Sequence, residues 1–354
     1  MVLGVRRRTV VAAGAVAATA GLIGGCSGGD SVDGGVAGIS HQPGVVTPPP
    51  ADVVLVAIDV VGTPGAALRS LTGRVEQAVA AGVEATLALG ASLFDARFGL
   101  AAHRPPLLTT MPQFPNDVLD PAYCHGDLLL QVCGDGADQV AAVADDVLKT
   151  AGSAVRVRWR MAGFRAENGV TAAGQPSTRN LFGFREGAGN PDPADENLMN
   201  QLVWTEDGGT YQVVRLIRFA TDLWNRDSVP EQELMIGRHR DNGTPLQGGP
   251  EDATFDYSAD PAGQLIPLDA HIRRANPRTP QTRATRILRR GYSYQNASDE
   301  GLLFICFQRD PDQGFAAVQR RLAGEALDRY VLPFGGGYFF VPPSPSALNG
   351  LLTD

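Results

Sequence analysis

One order of elements occurs twice along this chain, and that repetition limits the folds open to it more than any other feature. In the first half, DVVLVAIDV (52–60) is an apolar run of strand length and AALRSLTGRVEQAVAAG (66–82) carries apolar residues at helical spacing. DLLLQVC (127–133) then reads as a strand, ADQVAAVADDVLKTAG (137–152) as an amphipathic helix and AVRVRWRMAGF (154–164) as an alternating strand. The second half offers a strand at 210–219, a helix over 230–236, strands at 286–294 and 302–307, a helix at 314–324 and a strand at 338–341. Strands with one apolar face need helices to cover them, so the order predicts an α+β fold of two ferredoxin-like modules with antiparallel sheets, at 51–175 and 176–354. Hydrophobic residues make up 44% of the chain, enough for a substantial core.

The first 50 residues follow different rules. Arg6 to Arg8 precede an uncharged stretch from Val10 to Gly25 that ends at Cys26. Arg7-Arg8-Thr9-Val10-Val11 fits a twin-arginine export signal, and Ile23-Gly24-Gly25-Cys26 fits the lipobox at which a precursor is cut and its new terminal Cys acylated. The apolar run is shorter than the roughly 20 residues a membrane-spanning helix needs. Residues 1–26 are therefore expected to be a signal peptide, and 27–50, rich in Gly, Ser and Pro, a disordered linker in which His41 is inert. This predicts an exported protein held by a lipid on Cys26 at the outer face of the cytoplasmic membrane.

Charge and cysteine content remove several functions. A formal charge of -8 argues against a nucleic-acid partner. Cys124, Cys133 and Cys306 have no metal-ligand spacing, so zinc and iron-sulfur chemistry are unsupported. A Cys124–Cys133 disulfide is open outside the cytoplasm, with buried free thiols the ordinary alternative.

Three side chains carry the chemistry. Glu186 sits in the loop GFREG (183–187), His271 opens HIRRANPR (271–278), and Arg289 lies in RILRRGYSY (286–294). A histidine can bind ferric haem through one ring nitrogen and leave the opposite face open to a small oxidant. On that face a carboxylate can move a proton between the two oxygens of hydrogen peroxide, and an arginine can stabilise the charge that develops as they part. Taken singly, each residue has an ordinary structural meaning, and the loop glycines read equally as a surface turn.

Seven ordered segments bring these residues together: ASLFDARFGL (91–100), LDPAYCHGDLLLQVC (119–133), NLFGFREGAGNP (180–191), IGRHRDNGTPL (236–246), HIRRANPR (271–278), ILRRGYSY (287–294) and GGGYFFVP (335–342). With them the chain, from about Val53 to Pro342, resembles the dye-decolourising peroxidases (DyP-type haem peroxidases), in particular their exported, deferrochelatase-like branch. The resemblance implies a duplicated, dimeric α+β barrel-like fold and one haem b per chain, held mainly by the second module. It implies His271 as the axial iron ligand, with Glu186 and Arg289 catalytic. Phe184, Gly187, Ala188, Gly189, Asn276, Pro277 and Arg278 are implied as haem contacts, Arg278 toward a propionate, and Ile305 and Phe307 as the distal wall. Asp328 is the expected carboxylate partner of His271. The family's loop has the form G-x-x-D-G, so Glu186 stands where the family has Asp, one methylene longer.

The implied substrates are hydrogen peroxide and an organic reductant of dye-like, phenolic or porphyrin type. Bulky reductants need an electron path to the surface, for which Trp159, Trp204, Trp224, Tyr292, Tyr294 and Tyr338 are available. A haem-binding or iron-releasing protein with weak peroxidase activity is the alternative, and a chlorite-splitting haem enzyme a third. Self-association into a homo-oligomer stays open.

Overall fold

The structure, a computed structural model, describes residues 41–170, 174, 176–250 and 257–352. The export signal with Arg7, Arg8 and Cys26, and the linker up to residue 40, lie outside the described residues.

The first repeat contains β1 (Asp52–Val60), α1 (Pro64–Ala80), β2 (Glu84–Gly90), β3 (Leu128–Gly134), α2 (Ala137–Ala151) and β4 (Val155–Phe164). A two-stranded ribbon, β5 (Glu167–Val170) and β6 (Pro176–Thr178), and α3 (Glu196–Leu202) follow. The second repeat has β7 (Thr210–Phe219), then α4 (Thr221–Trp224), α5 (Val229–Ile236), α6 (His271–Ala275) and α7 (Pro280–Ala284). It closes with β8 (Leu288–Arg289), β9 (Tyr292–Gln295), β10 (Glu300–Gln308), α8 (Ala317–Leu322) and β11 (Val331–Val341).

Within each repeat the strands take one antiparallel order, β2-β3-β1-β4 in the first and β9-β10-β7-β11 in the second. Edge then meets edge: β11 pairs with β2, and β4 with β9. With β10 paired along its length to β7, the ladder runs round into a closed barrel. The expected duplication is thus present, and closure joins the modules into one compact unit over Ile39–Asp354.

Strand alternation sorts side chains between two cores. Leu55, Ala57, Leu129, Val214, Ile305 and Phe339 fill one cluster on the barrel's inner face. The alternate positions Val54, Val56, Leu128 and Leu130 share a second cluster with α1 and α2. Leu68, Leu71 and Val75 recur at helical spacing along α1, and Val140, Ala144 and Val147 along α2, so each helix lays one apolar stripe on the sheet.

The repeats differ in their first crossover. In the first it is little more than α1; in the second it expands over residues 220–291 into α4 to α7. Those short helices leave a cavity over the outer face of β7 and β10.

Residues 41–50, expected in the disordered linker, pack against the body instead. His41 stacks on Trp204 with ring centroids 3.7 Å apart, and buried Gln42 hydrogen-bonds Leu87 and the Pro342 carbonyl. Val45 is buried, and burial of these few side chains outweighs the Gly/Pro composition. Cys124, Cys133 and Cys306 are all buried free thiols, so the disulfide option falls.

Candidate active site

The cavity has a volume of about 320 Å³. Arg215 and Ile217 of β7 with Leu302 and Phe304 of β10 form its floor. The loop 183–189 and the segment from His271 to Arg278 form its sides, and Phe114 and Asp117 reach in from the first repeat.

His271 begins α6, and the loop ahead of that helix is pinned by Asp260. The Asp260 carboxylate accepts backbone N–H bonds from Gln264, Leu265 and Ile266 at 2.7, 3.1 and 2.9 Å, and Arg273 donates to it from the helix. These backbone donors, Ile266 foremost, hold its pKa below the usual carboxylate value. The His271 Nδ1–H faces Glu325, with Oε2 at 2.8 Å and Oε1 at 3.1 Å. That contact fixes the tautomer and leaves Nε2, which takes no hydrogen bond among the described residues, as the edge with a lone pair to give. Asp328 does not fill the expected partner role. Its carboxylate accepts the Gly324 N–H at 2.8 Å, because it lies one turn beyond Glu325, where it closes the turn on itself.

On the other side Asn180 organises the loop. Its Oδ1 accepts the N–H groups of Phe182 and Phe184, and its Nδ2 donates to Glu186 Oε1 at 3.0 Å. Gly183 has φ +84, a conformation that favours glycine, and the Arg240 guanidinium packs where a Cβ would sit. Asn190 ties this loop to Arg289: it donates to the Arg289 carbonyl at 2.7 Å and accepts from the Arg289 backbone N–H and Nε. Nη2 of Arg289 donates to the Ala188 carbonyl at 2.6 Å. This part-buried side chain lines the cavity. Burial lowers its pKa, and the charge of Glu186 opposes that shift.

Arg238, Arg278 and Arg286 also line the cavity and make it cationic. Arg238 is brought down to about 10, first by burial and then by repulsion from Arg289 and Arg278. Arg286 is also lowered, by burial and then Arg278, and its buried Nε has no hydrogen-bond partner among the described residues. Such an array calls for an anion. Apolar walls, an imidazole with a free nitrogen and a cluster seeking carboxylates together suit haem, with its flat apolar ring, iron and two propionates.

Phe184, Glu186, Gly187, Ala188, Gly189, His271, Asn276, Arg278 and Arg289 all line the cavity, as the sequence suggested. Pro277 does not reach its wall. Ile305 and Phe307 point to the inner core of the barrel, and Leu302 and Phe304 take the expected place on the wall. The strand was placed correctly and its parity was not. Asn180, Asn190, Arg238 and Arg286 were not picked out although they lie in NLFGFREGAGNP, IGRHRDNGTPL and RILRRGYSY, and Glu325 was missed with no local signal.

Residues 42–165 match the model for the N-terminal part of Dyp-type peroxidases, and 177–346 that for the C-terminal part. The chain belongs to the Dyp-type peroxidase family. Its relatives include the deferrochelatase of Escherichia coli K12, 41% identical over 354 residues, covering 87% of this chain and 84% of that one. A DyP-type peroxidase from Cellulomonas bogoriensis superposes with a TM-score of 0.76 at 36% identity, covering 87% of this chain and 94% of its own. Ferric DtpA from Streptomyces lividans gives 0.77 at 32%, with 88% and 95% covered. This DyP-type peroxidase is a haem-dependent oxidoreductase that uses hydrogen peroxide.

Proposed function

We propose that Glu186, Arg289 and His271 are the working residues of this peroxidase, and that its reductants are dye-like, phenolic or porphyrin compounds. The observation that carries the reading is one cavity lined together by Glu186, Arg289 and the Glu325-held His271. Bound haem would supply the redox chemistry: an iron at which peroxide can be reduced and the two electrons that this takes, which the organic reductant later replaces. His271 Nε2 would ligate it, with donation strengthened by the Glu325 carboxylate on Nδ1. Arg238, Arg278 and Arg286 would receive the propionates. Glu186 takes a proton from one peroxide oxygen and returns it to the other, so that water leaves. Arg289 holds a fixed positive charge where negative charge develops.

Bulky reductants would be served through an aromatic ladder. Phe182 and Phe184 line the cavity; Trp224 lies behind them with centroids at 4.5 and 6.1 Å, and Tyr330 follows at 5.0 Å. The Tyr330 hydroxyl donates to Asp227, which gives its proton somewhere to go on oxidation. The buried Tyr338 hydroxyl has no hydrogen-bond partner among the described residues and lacks that outlet. The leader pattern supports twin-arginine export and a lipid anchor on Cys26. Fractionation of a Cys26→Ala variant tests the anchor, and release from the membrane is the expected result.

The deciding experiment mixes haem-loaded protein with hydrogen peroxide and follows peroxide consumption and the Soret band. Rapid reaction in the parent, slowed in Glu186→Gln and lost with haem binding in His271→Ala, supports the reading; parent-like rates in Glu186→Gln refute it. The deferrochelatase relative favours a second reading, release of iron from haem. Metal-free porphyrin fluorescence in the product mixture would mark it.

A further inference from the structure

The extra methylene of Glu186 has to go somewhere, and the structure shows where. A Cβ built on Gly291 would lie 2.8 Å from Glu186 Oε2, closer than such atoms approach, and 3.4 Å from Leu302 Cδ1. Gly291 is not in the left-handed region, so its backbone does not require glycine, and what a side chain there would meet first is the Glu186 carboxylate. It stands at the break between β8 and β9, two residues after Arg289. Arg165 donates to its carbonyl at 2.7 Å and fixes its place. Around the carboxylate, Asn180 donates to Oε1 at 3.0 Å, and Arg289 and Arg165 are the cations whose fields reach it.

We propose that Gly291 is a positioning residue for Glu186: its missing side chain makes the berth that the longer carboxylate arm fills, holding that arm against Asn180. The inference rests on Glu186 as the proton carrier. Long acid and absent side chain form one matched pair, and changing either alone misplaces the carboxylate.

Gly291→Ala tests this. Its methyl would push the carboxylate from 2.8 Å out to ordinary contact at 3.4 Å or beyond. A misplacement near 1 Å can cost on the order of 10²-fold in rate, so a loss of about tenfold in the peroxide step is expected. The neighbour met is the end of a flexible side chain, so the melting temperature of the haem-free protein should change little. Cyanide affinity gives an equilibrium readout, because HCN must leave its proton on the distal carboxylate to bind; it should fall with the rate. Adding Glu186→Asp to Gly291→Ala shortens the arm and should restore part of both losses. A Gly291→Ala protein with parent-like rate and cyanide affinity overturns the proposal, as does a double variant no better than the product of the single effects. If Gly291→Ala folds poorly, the same pairing applies to melting: Glu186→Asp must recover stability in that background, and failure to do so overturns it. A parent-like Glu186→Gln would instead remove the underlying reading of the site.

Discussion

Arg215 of β7 and Asp117 of the first repeat form an ion pair in the cavity wall, with side chains only 2% and 1% exposed. Nη1 of Arg215 lies 3.0 Å from Asp117 Oδ2, and Nη2 contacts Oδ1. Asp117 also accepts the Phe114 N–H at 2.8 Å, and the guanidinium lies 5.3 Å from the Phe114 ring. Asp117→Asn keeps the shape and removes one charge, which strands a cation where water does not reach. Breaking such a pair from one side costs about 3–5 kcal/mol. At about 2 °C per kcal/mol for a domain of this size, the haem-free protein should melt about 6–10 °C lower. Replacing both partners, as Asp117→Leu with Arg215→Met, strands no charge and should recover most of the loss. The assay is a double-mutant cycle in guanidinium and thermal unfolding. A cost below about 1 kcal/mol for Asp117→Asn, or additive single effects, would mean that the pair is as well hydrated as a surface one, and would refute the reasoning.

Glu325→Gln should weaken the hold on haem by about 10- to 100-fold and raise the iron reduction potential, measured by haem transfer to an acceptor protein and by potentiometry. Tyr330→Phe should lower the ratio of bulky-dye to small-phenol turnover about tenfold, in line with a barrier change of about 1.4 kcal/mol, and remove a tyrosyl signal from electron paramagnetic resonance after peroxide addition. An unchanged ratio and signal would take Tyr330 out of the path. Asp260 has a lowered folded pKa, so its contribution to stability is present above the unfolded value near 3.9 and is lost as pH falls through the folded one. Melting of parent and Asp260→Asn should therefore differ at neutral pH and converge in strong acid; a constant difference would exclude the linkage.

Strands with dense β-branched or leucine runs, such as β1, β3 and β7, were legible because their patterns admit few other readings. β2, EATLALG, was missed: Ala and Leu without a β-branched run carry little strand signal, and pairing on both sides makes the strand. Residues 286–294 read as one strand, but Arg290 and Gly291 interrupt it. Glu186, His271 and Arg289 were found through motifs, and their roles came from resemblance. Glu325 carries no motif and reaches His271 across 54 positions, so it emerges only when α6 and the turn before β11 are brought together. Ile305 and Phe307 were chosen on a strand whose two faces are both apolar, although Leu303, Ile305 and Phe307 are fully buried and Leu302 and Phe304 only partly. Hydrophobicity could not tell cavity from barrel interior.

The joins between the repeats are short. β4 meets β9 at Phe164 and Ser293, and β11 meets β2 at Phe339 and Phe340 opposite Gly90 and Leu89. Each joins the second edge of one half to the fourth edge of the other. A fragment holding only the first half would carry both kinds of edge on one polypeptide, each able to satisfy the other on a neighbouring copy. Such a fragment should pair with itself about a twofold axis and rebuild a closed barrel from two identical pieces. Neither piece would carry the expanded crossover that opens the cavity, so the expected product is a symmetric shell with nowhere to put a cofactor.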